Sequence, residues 1–304
     1  MELRPYQVEA KQAILSEWSE GRRKTLLVLS TGLGKTIVFS SVTEHQVKLG
    51  HRVLIMAHRG ELLSQAADKL KMLTGLDQGE NRSLGSFFSV TVGSVQSLCQ
   101  EKRLSMFPQD YFQDIIVDEA HHALSESYQR VLAHFPKANV LGVTATPDRG
   151  DKQTLGTFFD SEAYEYSMSR AIREGYLSPV KARMIPLQLD ISKAGISGGD
   201  YSAADIGCAL EPYLHQIAGE MARYCRGRKT VVFLPLIATS QKFCRMLNDV
   251  GLRAAEVNGM SDDRSKILAE FENGMYDVLC NSMLLTEGWD CPAVDCIVIL
   301  RPTK

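Results

Sequence analysis

No run of this sequence stays apolar for the ~18–20 residues that a membrane-spanning helix needs. Met1–Ala10 is polar, unlike a cleavable leader. The seven cysteines (99, 208, 225, 244, 280, 291 and 296) form no C-x-x-C pair and no Cys/His cluster with zinc spacing. They read as reduced thiols in apolar settings. Excess charge is missing too: 34 basic against 36 acidic residues leave a net charge of −2. A broad basic face is therefore not expected, and any phosphate-binding surface must be a local patch. No internal repeat or low-complexity tract is visible. A cytoplasmic, reducing setting without a membrane partner is the expectation.

What is present is ordinary globular material. The chain has 304 residues, 44% hydrophobic and 23% charged, enough for two domains. Short Val/Ile/Leu-rich runs recur at Thr25–Leu29, Val53–Ala57, Ser89–Val92, Asp114–Val117 and Asn139–Val143. Amphipathic stretches such as Glu61–Leu73 and Tyr128–Phe135 lie between them. Continuous apolar runs alternating with helices indicate an α/β fold, a parallel sheet covered on both faces. The pattern weakens around Pro179, Pro186 and the loop-like Ser192–Asp205. After a helical stretch at Ile206–Cys225, a second, shorter βα series begins at Lys229–Leu234. It ends on Asp295–Leu300, which reads as a buried strand. The expected organisation is a first lobe over 1–170, a connector and linking helix over 171–225, and a second lobe over 226–304.

"TLLVLSTGLGKTIVFSSV" runs from strand through a glycine-rich turn into helix. Gly34, Lys35 and Thr36 fit the end of G-x-x-x-x-G-K-[ST]. Leu29 stands where the first glycine belongs, and Gly32 can supply the turn instead. Thr31, Gly32, Leu33, Gly34, Lys35 and Thr36 are the candidate triphosphate cradle. Their backbone N–H groups and the helix N-terminus attract phosphate. Lys35 is expected to reach the β- and γ-phosphates, and the Thr36 hydroxyl to bind Mg²⁺. A chance G-K-T at a strand–helix turn is the alternative.

"DIIVDEAHH" puts two acids directly after an apolar run, at the strand end where α/β sheets bind ligands. Asp118 is a candidate Mg²⁺ ligand and Glu119 a candidate general base for the attacking water. The same pair could be plain helix capping.

"TGLGKT", "DEAH" (Asp118–His121) and "TAT" (Thr144–Thr146), in that order, resemble superfamily 2 helicases. "LRPYQ" (Leu3–Gln7) looks like their adenine-reading element, with Arg4 and Gln7 as nucleotide contacts. "AHRGELLSQ" (Ala57–Gln65) is similar to motif Ia, "TVGSVQSL" (Thr91–Leu98) to motif Ib, "VVFLPLIATS" (Val231–Ser240) to motif IV, and "TEGWDCPAVD" (Thr286–Asp295) to motif V. Within the superfamily the likeness is greatest to RadD-like and type III restriction-subunit-like DNA helicases, phage members included. The resemblance implies two RecA-like lobes with Mg·ATP in the cleft between them, coupling hydrolysis to movement along a strand. It implies strand contacts from Arg59, Gly93, Ser94, Gln96 and Thr286. It gives Thr144 and Thr146 a coupling role, sets Gly288 and Asp290 toward the nucleotide, and puts His121 in the cleft network. Ser94 and Gln96 could instead cap a helix. Trp289 is read as packing.

DNA is the expected partner, as a single strand or a duplex junction. An RNA helicase and a nucleic-acid-binding ATPase module with little hydrolysis of its own are the alternatives. The family's motif VI, Q-x-x-G-R-x-x-R, occurs nowhere in the chain. Its arginine finger is worth about 10³–10⁵ in rate in related systems. A following segment or a protein partner is expected to supply it. Weak ATP and strand binding with little stimulated hydrolysis is expected of these 304 residues alone.

Overall fold

The computed structural model describes residues 2–57, 74–77, 88–145, 155–192, 194–197, 200–282, 284–285, 289 and 291–301. The chain divides into two compact units, Met1–Val180 and Lys181–Lys304.

The first unit opens with helix α1 (Pro5–Ser19). Proline at its first position is already set for helical φ and lacks an N–H that would go unpaired there. Tyr6, Ala10, Ile14 and Trp18, spaced by four, form the face it buries. Strand β1 (Lys24–Leu29) and helix α2 (Lys35–Lys48) follow, then β2 (Val53–Ala57), β3 (Thr74–Asp77) and β4 (Val90–Ser94). Two one-turn helices, α3 (Val95–Leu98) and α4 (Glu101–Leu104), lead toward β5 (Asp114–Asp118). A 3₁₀ turn (Ala120–Leu124), helix α5 (Glu126–His134), β6 (Asn139–Thr144), β7 (Ser161–Tyr166) and helix α6 (Met168–Arg173) complete it. The seven strands pair in the order β3-β4-β2-β5-β6-β1-β7, and every pairing is parallel. Two apolar layers cover the sheet. Tyr6, Ile14, Phe39 and Val42 pack on one face, and Val95, Phe112, Tyr128 and Val131 on the other. β1, β2 and β5 are buried on both faces, so their sequences are continuous apolar runs and not alternating ones.

The ends of β5 carry opposite duties. Asp114, at its start, is 1% exposed. Its carboxylate accepts from Gln46 Nε2 (2.9 Å), Asn139 Nδ2 (2.8 Å) and His51 Nδ1 (2.6 Å). A carboxylate can only accept, so His51 carries its proton on Nδ1. These bonds tie α2, the turn before β2 and the start of β6 to one buried charge.

The second unit contains a small β8–β9 hairpin (Ile196–Ser197, Asp200–Tyr201) and helices α7 (Ala203–Leu210) and α8 (Leu214–Tyr224). Then come β10 (Thr230–Phe233), α9 (Ile237–Asp249), β11 (Ala254–Val257), α10 (Arg264–Glu272), β12 (Val278–Asn281) and β13 (Cys296–Ile299). Its sheet has the order β11-β12-β10-β13, all parallel. The helical stretch expected over 206–225 is two helices joined by a 3₁₀ turn at Glu211–Tyr213, where Pro212 removes an N–H donor. The last strand differs from expectation more sharply. Its sequence reads as buried, but among the described residues β13 is a sheet edge, with Ile297 and Ile299 60% and 71% exposed. Only its other face, Cys296 and Val298, packs against the core.

Among the described residues no helix is long and apolar enough to cross a membrane. All seven cysteines are free thiols.

Candidate nucleotide site

Because the first sheet is parallel, the C-terminal ends of its strands share one edge. β1, β6 and β5 are neighbours there, and they deliver Ser30–Thr36, Thr144 and Asp118–Glu119. Val28 lies opposite Thr144, and Asp118 opposite Val143. The sheet therefore brings three widely separated pieces of sequence to one place.

The turn after β1 is shaped by two glycines. Gly32 and Gly34 have φ of +84° and +77°, the left-handed region that side chains disfavour. A Cβ on Gly34 would come within 2.7 Å of Gln7 Nε2, and one on Gly32 within 3.1 Å of Leu177 Cδ2. Gly34 is the N-cap of α2, so Lys35 and Thr36 occupy its first positions, where N–H groups lack helical partners. Thr31 and Gly32 are exposed, while Leu33 is buried. The Leu33 N–H is taken by Ser30 O, and its carbonyl accepts from Tyr6 Oη and Gln7 Nε2, both at 3.0 Å. Leu33 thus anchors the loop to α1 from beneath.

Gln7 is buried as well, and its Oε1 accepts the Arg4 N–H. Both ends of its amide are engaged with protein. Arg4 is exposed.

At the end of β5 the backbone turns at Glu119, whose φ of +55° is the one positive value of a non-glycine residue among the described residues. Such a conformation costs about 1–3 kcal/mol and persists only where its surroundings fix it. Ala120 and Ala123 are fully buried in the 3₁₀ turn that follows. Gly142 leaves room there, since a Cβ on it would meet Ala120 Cβ at 3.0 Å and Phe159 Cζ at 2.3 Å. His121 Nδ1 lies 3.7 Å from Glu119 Oε2.

Asp118 is 8% exposed, and its Oδ1 accepts the Glu119 N–H. Burial pushes its carboxyl up to about 6, Glu119 pushes the same way, and the Lys35 ammonium and the Glu119 N–H oppose them. The folded value lies above the ordinary 3.8. Between those values the folded chain holds a proton that the unfolded chain has released, so stability falls as pH rises through that window. Asp118→Asn keeps the acceptor for the Glu119 N–H and removes the buried charge. Without ligand it is expected to gain on the order of 2–3 kcal/mol at pH 7.5, with the gain fading as pH falls from 6 toward 4. Thermal melts across pH check this, and an unchanged melting temperature at pH 7.5 refutes it.

Tyr128 on α5 was not picked out from sequence. It is 1% exposed, and its hydroxyl has no partner among the described residues. Burial, then the charges of Asp118 and Glu119, push that hydroxyl up to about 12. Its ring stacks on His122.

The candidate strand contacts are only partly described. Gly93 and Ser94 end β4, and Ser94 Oγ accepts from Ser97 N–H at 3.3 Å, capping α3. Gln96 is exposed on that turn. Thr144 is buried at the end of β6. Trp289 packs on Phe271 in the second unit. Arg59, Thr146, Thr286, Gly288 and Asp290 lie outside the described residues.

The comparisons with known proteins agree with this arrangement. The family described as the type III restriction enzyme res subunit matches residues 1–149, and the helicase conserved C-terminal domain matches 214–304. A DNA 3'-5' translocase, XPB2, of Sulfurisphaera tokodaii is 32% identical, with 99% of this chain and 75% of that protein covered. An ATP-dependent helicase of the IRC3 type from Schizosaccharomyces pombe is 32% identical over 98% of this chain and 52% of its own length. This chain spans about half the length of several curated relatives that it matches: 58%, 52% and 47% of three of them. Among solved structures, the restriction-modification enzyme LlaBIII bound to DNA shares the fold, with a TM-score of 0.71 and 17% identity over 99% of this chain and 26% of that one. The two units are RecA-like helicase lobes. The chain belongs to the superfamily 2 helicases, in the branch related to the type III restriction subunit.

Proposed function

We propose that the chain is the ATP-driven motor of a DNA helicase or translocase. The observation that carries this reading is the meeting of the β1 loop, Thr144 and the Asp118–Glu119 pair at one edge of a parallel sheet. Two left-handed glycines, a helix N-terminus and a lysine suit a triphosphate. A buried carboxyl pushed up by desolvation suits Mg²⁺. When bound, Mg·ATP supplies the phosphoryl group and a metal ion that spreads its charge.

The chain's own residues do the rest. Lys35 neutralises the β- and γ-phosphates. Thr36 and Asp118 hold the metal. Glu119, fixed by its backbone, orients the attacking water and takes its proton, while His121 steadies its carboxylate. Thr144 sits between the two and reports the state of the nucleotide to the strand-binding residues. Gly93, Ser94, Gln96, Arg59 and Thr286 hold the phosphate backbone with amides and hydroxyls, and so read no sequence. That also accounts for polyanion binding by a nearly neutral chain. DNA is preferred to RNA because the relative named as a DNA translocase is 32% identical over 99% of this chain, whereas the one named as an RNA helicase is 28% identical over 56% of it.

Nucleotide binding and hydrolysis measured with single-stranded DNA, duplex DNA and RNA test the proposal. Mg-dependent ATP binding abolished by Lys35→Ala, with DNA the better effector, supports it. Binding indifferent to Lys35→Ala removes it, and stronger stimulation by RNA replaces DNA with RNA.

A further inference from the structure

Four of the seven cysteines meet in pairs inside the second unit, and one pair sits at the edge of its sheet. Cys225 is the C-cap of α8 and 5% exposed, and Cys296 is the first residue of β13. Their sulfurs are 3.8 Å apart, although 71 residues separate them in sequence.

Local structure accounts for the meeting. The Cys225 N–H returns to Met221 O, and the Arg228 N–H to Cys225 O. Gly227 takes φ of +75° between them, so the chain reverses tightly out of α8 and enters β10. The register of β13 on β10 sets Cys296 opposite Thr230, and the Cys296 N–H donates to Lys229 O. Both side chains therefore join the same apolar cluster. Cys296 is half-open to solvent, while Cys225 is closed off. Burial, then the Cys296 sulfur, push the Cys225 thiol up to about 12, so it keeps its proton at neutral pH.

The other pair is Cys244 on α9 and Cys280 on β12. Cys280 is fully buried, and its strand is bonded to β11 on one side and β10 on the other. Among the described residues β13 is bonded to β10 alone. A disulfide needs about 2.05 Å between sulfurs, so the edge pair must close by roughly 1.8 Å from its 3.8 Å. A strand held on one side can yield that distance more easily than one gripped on both.

We infer that Cys225 and Cys296 are an oxidation site, a dithiol that a hydroperoxide converts into a disulfide joining the end of α8 to the edge strand. The half-open Cys296 meets the oxidant first. With hydrogen peroxide, its sulfur gives an electron pair to one oxygen, the O–O bond breaks, and water leaves as Cys296 becomes a sulfenic acid. The Cys225 sulfur then attacks the Cys296 sulfur. The S–S bond forms, the S–O bond breaks, and the hydroxyl departs with the Cys225 proton as a second water. Two thiols lose two electrons, and one peroxide takes them up. The sulfenic acid is neutral, which removes one of the two causes that hold the Cys225 proton, and the contact makes the attack intramolecular. A thiol reductant reverses the bond, so in a reducing setting the pair rests as two thiols.

The full chain treated with one equivalent of hydrogen peroxide is expected to lose two of its seven titratable thiols and to regain both with dithiothreitol. Trypsin combined with an Asp-specific protease isolates the two cysteines in separate peptides, Tyr224–Arg226 and Asp295–Lys304. Mass spectrometry should find these two joined, lighter than their sum by two hydrogens. Cys296→Ala should abolish the reversible loss. Cys225→Ala should leave Cys296 as a sulfenic acid that dimedone captures. Thermal melts verify that both variants fold, and the peptide map of the unsubstituted chain decides the matter even where one does not. A bond that uses any other cysteine, or no loss of thiols from the unsubstituted chain, overturns the inference. So does a thiol loss that folded Cys296→Ala leaves unchanged.

Discussion

Glu119→Gln is expected to lower ATP hydrolysis by about 10²–10⁴-fold while leaving Mg·ATP affinity near its original value. The side chain keeps its size, and a glutamine can occupy the same left-handed backbone at Glu119, whose φ is +55°. The Asp118 carboxylate stays, as does the N–H that Glu119 donates to it. Only the capacity to take a proton is lost, and with it the pull on the attacking water. Single-turnover hydrolysis alongside equilibrium nucleotide binding measures both parts. A variant that hydrolyses ATP at the original rate assigns the base to another residue. A variant that no longer binds ATP shows instead that Glu119 supports the cradle.

Asp114→Ala carries the largest expected effect on stability. Its carboxylate is buried and accepts from Gln46, His51 and Asn139. Truncation leaves a cavity and three donors facing it, of which His51 is partly open to water. Loss of one partner from a buried, hydrogen-bonded charge costs about 3–5 kcal/mol. The loss should fall wholly on folding, because Asp114 begins the strand and the candidate acids lie at its other end. Chemical denaturation of the ligand-free chain should show the midpoint falling, with nucleotide affinity of the folded fraction unchanged. Destabilisation under about 1 kcal/mol would mean that water satisfies those donors instead.

Much of this molecule could be read in its sequence, for identifiable physical reasons. β1, β2 and β5 are buried on both faces, and a doubly buried strand writes itself as an unbroken apolar run. The cradle and the acidic pair sit at the ends of such runs, so strand and motif located each other. The elements that escaped are those at edges. β7, with the sequence "SEAYEY", is mostly half-exposed and mixes charge with tyrosine. β13 has apolar residues on both faces although one face is open, so its composition gave no hint of its position. Helix α1 was hidden behind the motif at its start, although Tyr6, Ala10, Ile14 and Trp18 carry its periodicity. The internal bonding of Gln7 and Leu33 was out of reach as well, since it depends on two segments folding against each other.

β5 is five residues long, and four steps along a parallel strand span about 13 Å. That length insulates the clamp at Asp114 from the candidate site at Asp118. Substitutions at the two ends share no partner and are far enough apart to add independently. A lineage, or an engineer, can therefore strengthen or loosen one end without renegotiating the other. Tolerance to heat and the character of the candidate nucleotide site become separately heritable traits of one short strand.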